Sequence, residues 1–165
     1  EEEIGIPVFF EKQYYEVSGK KFLLAHGDGL GPGDKGYKRM KKLFTNPVAQ
    51  WFFKWLHPDI AMKIAVYFST KNKMISGVED MKFLGEDKEF LILYSKEKLK
   101  SEKIDYFVYG HRHLPMILDL KIDENAANYV NLGDWISYFT YGVFDGEEFK
   151  ILKHGDTENA KSTQE

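Results

Sequence analysis

Three histidines close two apolar runs: His26 follows "KKFLLA", and His111 and His113 follow "DYFVYG". Imidazole is the commonest metal-binding side chain, and the ends of strands that feed loops are where sheet proteins place their sites. In an extended Gly-His-X-His both rings project to one side, because side chains i and i+2 share a face. That spacing could serve two neighbouring ions or chelate one. The glycines beside His26 and His111 let backbone approach closely, as metal sites often require. Three neutral imidazoles alone could make a zinc site of the carbonic-anhydrase kind. Asp28 and Asp34 stand near His26, but each could equally cap a loop or a helix. No Asp or Glu in the chain has a spacing that completes a two-ion site. His57, before a proline, and His154, near the tail, read as surface or hydrogen-bonded histidines.

The chain has no cysteine, so disulfides are excluded and a transition metal would have to use His, Asp, Glu or Asn. Its 165 residues suffice for a real core. A net charge of −3 argues against a general nucleic-acid binder, which would carry a basic excess. The start, "EEEIGIPVFF", is acidic, lacks the basic start and long apolar core of a signal peptide, and carries no initiating Met. The chain therefore reads as beginning inside a longer one.

The elements that must position the histidines follow from pattern. "YYEVSGKKFLLA" predicts a hairpin, with strands at 14–17 and 22–25 and "SGK" as its turn. "GDGLGPGDKG" is a loop, with Asp34 as the N-cap of a helix over about 36–44. That helix puts Tyr37, Met40 and Phe44 on one side and Lys35, Lys38, Arg39, Lys41 and Lys42 around the rest. Residues 46–73 are apolar nearly all round and break once, at His57-Pro58. Lys54, Asp59 and Lys63 interrupt them, which argues against a membrane span. They are either two buried core helices or a helical insertion whose exposed apolar face meets lipid. A helix over 87–101 and five further short strands complete the chain, and the residues from His154 on form a polar tail. The expected fold class is α/β or α+β with a helical insertion.

"AHGDGLGPGDKGYKRMKKLF", the aromatic helical segment, "YFVYGHRHLP" and "YVNLGDWISYFTY", in this order, resemble the calcineurin-like metallophosphoesterases. Among them the chain is most similar to the UDP-2,3-diacylglucosamine pyrophosphohydrolases of lipid A synthesis, over nearly all of residues 1–153. That family reads Asp-X-His, Gly-Asp-X-X-Asp, Gly-Asn-His-Asp/Glu, a later His, then Gly-His-X-His; only the last two blocks occur here. The resemblance implies a four-layer α-β-β-α sandwich, with residues 1–45 and 74–153 in its C-terminal part, 46–73 as a lid-like insertion and 154–165 as a tail. It implies that His26 and His111 ligate one ion of a pair of divalent metals of the Mn type, and His113 the other. The remaining ligands and the family's catalytic His would precede Glu1, in a missing N-terminal portion of the same protein.

By the same resemblance the reaction is hydrolysis of the diphosphate of UDP-2,3-diacylglucosamine, giving UMP and 2,3-diacylglucosamine 1-phosphate. Two ions clamp phosphoryl oxygens and activate water for in-line attack. Asp34 occupies the family's acidic position near the sugar, and Ser69, Lys71, Asn72 and Lys73 resemble the polar end of the insertion that contacts the phosphosugar. Trp51, Phe52, Phe53, Trp55 and Phe68 would cover acyl chains and dock on an anionic membrane surface, placing the protein peripherally on the cytoplasmic face of a bacterial inner membrane. The loop "GLGPGDKG" is richer in glycine than that of proteobacterial members. Two rival readings remain: a relative acting on another phosphoester or pyrophosphate, and a non-catalytic lipid-binding fragment.

Overall fold

The computed structural model describes residues 5, 7–32, 35–76 and 82–156; the side chains of 35–37, 69 and 71–76 are outside that description. The chain divides into two compact units, residues 1–28 with 95–165 and residues 29–94.

The first unit is built on a five-stranded sheet in the order β1-β2-β3-β5-β4. Its strands are β1 (Gln13–Val17), β2 (Lys20–Ala25), β3 (Tyr106–Tyr109), β4 (Met116–Ile122) and β5 (Asn125–Asn131). The β1–β2 hairpin turns through Ser18 and Gly19, both at positive φ (50° and 74°), the geometry that matches the twist of a tight hairpin. β2, β3 and β5 run parallel in the centre, while β1 and β4 are antiparallel edges. All four residues of β3 are buried, as a central parallel strand covered on both faces requires.

Each face of the sheet has its own cover. On one, Phe22, Tyr106, Val108 and Val130 form a core against Phe144, Phe149 and Ile151 of a second, two-stranded sheet. That sheet pairs β6 (Thr140–Phe144) with β7 (Phe149–Lys153). The Phe22 ring stacks on Tyr106 and meets Phe144 edge-on, each at 4.9 Å between centroids. On the other face Leu23, Phe107, Tyr109, Leu120 and Tyr129 are buried, with Ser95 and Leu99 from the last turns of α4 (Phe90–Leu99). The Ser95 and Tyr109 hydroxyls share a 3.0 Å hydrogen bond, and Asn125 Nδ2 donates to the Leu99 carbonyl at 3.1 Å. Helix, five-stranded sheet and two-stranded sheet are thus layered within this unit, a mixed α/β architecture.

The second unit holds α1 (Lys35–Phe44), α2 (Pro47–Lys54), α3 (Pro58–Ser76) and the first half of α4. Asn46 caps α2, its side-chain oxygen accepting from Val48 N (2.8 Å) and Ala49 N (3.2 Å), with Pro47 at the first helical position. Pro58 opens α3 in the same way, so the His57-Pro58 break expected from sequence separates two helices.

The alternative of two buried core helices is overturned. No residue of α2 is buried, and Trp51, Phe52 and Trp55 are more than half exposed, with Met62, Val66 and Tyr67 of α3 similarly open. Between ring centroids, Trp51 lies 5.8 Å from Trp55, and Phe68 of α3 lies 6.2 Å from Phe44 of α1. No described helix is long and apolar enough to cross a membrane. Asp34, expected as the cap of α1, lies outside the described residues, as does most of the polar tail, 157–165.

Candidate metal centre

The central parallel strands β2 and β3 end side by side, Ala25 being in register with Tyr109. The next residue of β2 is His26, and two residues past β3 is His111. The junction is tied by backbone: the His26 carbonyl accepts from both Gly110 N (3.1 Å) and His111 N (2.8 Å). The two imidazoles therefore face each other nearly perpendicularly, 5.6 Å between centroids. Asp28 joins them from the loop after β2, its Oδ1 lying 3.2 Å from His26 Nε2.

One ligand atom from each of His26, Asp28 and His111 lies within 4.8 Å of the other two. Around an ion with bonds of about 2.1 Å, ligand atoms sit roughly 3–4.2 Å apart, so closure on a cation needs movements on the order of an ångström. Two imidazoles and a carboxylate, with no thiolate, form a donor set suited to a borderline or hard divalent ion. The residues present fit a metal.

His113 is not one of these three. Residues 111–114 bend rather than extend, so the extended Gly-His-X-His from which the shared face was expected is not adopted. The strand stops at Tyr109, and alternation of side chains stops with it. The His113 ring instead meets Asp134, Nδ1 to Oδ2 at 2.9 Å.

Asp134 stands in the "NLGDW" segment after β5, where Asn131 Oδ1 accepts from Gly133 N at 3.3 Å. Its other oxygen, Oδ1, accepts three backbone N–H groups: Ser137 (2.6 Å), Ile136 (3.0 Å) and Tyr138 (3.1 Å). The Ser137 N–H above all, then that of Tyr138, the His113 ring and the Ile136 N–H, hold this carboxyl at about 2, against an opposing push from burial. Past Asp134 the turn presents Trp135 and Ile136 outward, and the Trp135 ring lies 5.5 Å from His154.

Asp28 thus joins the His26–His111 cluster, and Asp134 pairs with His113. The sequence leaves Asp28 open between a partner of His26 and a loop cap, and its place two residues after His26 in "HGD" is the available signal. Asp134 lies in the quoted "NLGDW" segment, but its pairing with His113, 21 residues away, has no local signal. Of the other expected site residues, Asp34 lies outside the described residues. Ser69, Lys71, Asn72 and Lys73 continue the backbone of α3, but their side chains lie outside the description. Trp51, Phe52, Phe53, Trp55 and Phe68 are exposed on α2, its C-cap and α3. His57, on the break between α2 and α3, has its Nδ1 3.5 Å from Asp59.

No protein-family model matches the chain. It is 34% identical over 170 residues to the UDP-2,3-diacylglucosamine hydrolase of Porphyromonas gingivalis (strain W83), covering 94% of this chain and 63% of that protein. It is 26% identical over 134 residues to the protein of the same name from Yersinia pestis, covering 81% and 54%. The chain therefore spans less than two thirds of the length of these curated relatives.

Proposed function

We propose that this chain, 34% identical to a UDP-2,3-diacylglucosamine hydrolase, carries part of the metal-dependent active site of such an enzyme, cleaving the diphosphate of UDP-2,3-diacylglucosamine to UMP and 2,3-diacylglucosamine 1-phosphate in lipid A synthesis. The observation that carries this reading is the convergence of His26, Asp28 and His111 at the ends of adjacent parallel strands. Two divalent ions, Mn in this reading, would supply charge neutralisation of the phosphoryl oxygens and an activated water when bound. His26 and His111 hold one ion and His113 the other, while Asp28 brings a negative charge to the first. The layered sheets of the first unit support the four-layer sandwich as the fold, with 1–45 and 74–153 as core and 46–73 as insertion.

The exposed aromatic groups of α2 and α3 support a lipid-linked substrate over a soluble phosphoester. Each acyl CH₂ removed from water stabilises binding by about 0.8 kcal/mol, so two long chains reward an apolar surface strongly. Trp51, Phe52, Phe53, Trp55 and Phe68 take that role. Lysines of α1 facing anionic headgroups would add roughly 1 kcal/mol each near the surface. In this reading the protein works peripherally, on the cytoplasmic face of a bacterial inner membrane. Asp34, Ser69, Lys71, Asn72 and Lys73 are assigned to the phosphosugar.

The test is UMP release from UDP-2,3-diacylglucosamine by the gene product that carries this sequence, with Mn²⁺ supplied. His26→Ala and His111→Ala are each expected to lower turnover by orders of magnitude. Undiminished turnover in either variant refutes the assignment.

A further inference from the structure

We propose that Asp134 is the positioning residue of His113: it fixes the imidazole with the proton on Nδ1 and presents Nε2 as the metal-binding atom. This rests on the reading that His113 is a ligand, and it adds which nitrogen binds and what holds the ring.

The geometry carries it. The Asp134 side chain is 11% exposed and that of His113 50%, so a well-covered carboxylate holds an open ring. A solvated surface pair would leave both partners free to swing. Here Oδ1 is engaged by the backbone N–H groups of Ile136, Ser137 and Tyr138, which fixes the plane of the carboxylate. The segment is anchored on both sides of Asp134. Thr140 N donates to the Asp134 carbonyl at 3.3 Å, and the Thr140 hydroxyl donates to the Leu132 carbonyl at 2.7 Å.

Only Oδ2 remains for His113, at 2.9 Å from Nδ1. An ionised carboxylate only accepts, so Nδ1 must be the donor. In the neutral ring the lone pair then sits on Nε2, on the side away from Asp134. Carboxylates and carbonyls that take the second ring nitrogen of a ligating histidine fix its tautomer and raise its basicity; removing them typically weakens metal binding about 10–100-fold.

Asp134→Asn separates this role from a merely structural one. The amide oxygen can keep the three backbone N–H groups, which preserves the turn, but the NH₂ then faces Nδ1 as a donor. That reverses the demand on the ring and moves the proton to Nε2. The experiment uses the gene product carrying this sequence with ¹⁵N-labelled histidine. Long-range ¹H–¹⁵N spectra of the wild type should show His113 protonated at Nδ1, with Nε2 the nitrogen perturbed by Cd²⁺. Asp134→Asn should invert the tautomer and weaken Mn²⁺ binding about 10–100-fold in calorimetry. A wild-type ring protonated at Nε2, or binding by Asp134→Asn within twofold of wild type, overturns the proposal. His113→Ala tells the two failures apart. If it leaves Mn²⁺ affinity unchanged, His113 is no ligand and both readings fall. If it weakens binding while Asp134→Asn does not, the positioning role alone falls.

Discussion

Replacing Gly133 by alanine should destabilise the first unit and loosen the loop that carries Asp134. Gly133 has φ +77°, and a Cβ there would stand 2.5 Å from Thr140 Oγ1 and 3.0 Å from Pro115 Cβ. Left-handed backbone costs an alanine about 1–2 kcal/mol. Overpacking against a fixed neighbour adds about 1–3 kcal/mol. Thr140 cannot yield freely, because its hydroxyl is held by the Leu132 carbonyl and its N–H by the Asp134 carbonyl. The expected loss is therefore about 3–4 kcal/mol, which for a chain of this size lowers the melting temperature by roughly 10 °C. Urea unfolding followed by circular dichroism measures it. Adding Thr140→Ala removes the closest contact, so the double variant should recover about 1 kcal/mol relative to additivity. A loss below 1 kcal/mol for Gly133→Ala, or strict additivity in the double variant, would refute this account of the loop.

Phe22→Ala should cost about 3–5 kcal/mol in the same assay, because its ring joins the two sheets through Tyr106, Phe144 and Phe149; a cost below 1 kcal/mol would mean β6 and β7 are not part of the core. Trp51→Glu or Phe53→Glu should weaken flotation with anionic liposomes, and unchanged partitioning would count against a lipid-facing α2. Asp145, whose Oδ1 accepts from Glu148 N (2.8 Å) and Glu147 N (3.0 Å), has its carboxyl held well below the ordinary carboxylate range, first by the Glu148 N–H. Its contribution to stability is therefore full above that ordinary range and is lost as pH falls through and below it. Asp145→Asn should flatten the acid limb of a pH–stability curve, and an unaltered limb would rule the carboxylate out as its source.

Much of the local structure was legible because its signals are local. The β1–β2 hairpin, the break at His57-Pro58 and the five later strands all depend on neighbours a few residues apart. What was not legible depends on long-range pairing. Nothing near Asp134 announces His113, and nothing in "DYFVYGHRH" shows that the chain leaves its strand at Tyr109 and bends. The apolar character of α2 could not decide between burial and exposure, since a helix apolar all round has no polar face to point outward. Asp28 fell between these cases. Its position was suggestive, but only the junction of β2 with β3 brings His111 to it.

That junction also bears on how the chain folds and how its relatives can vary. β2 and β3 pair across 84 residues of sequence, with the whole second unit in between. His26 and His111, which follow the two strands, cannot meet until this large loop has closed. Closure entropy rises only with the logarithm of loop length, and doubling the interposed segment would cost about 0.6 kcal/mol. The helical unit can therefore lengthen or shorten at little cost to the arrangement of His26, Asp28 and His111. The segment between the two strands and the junction at their ends can then vary independently within one chain.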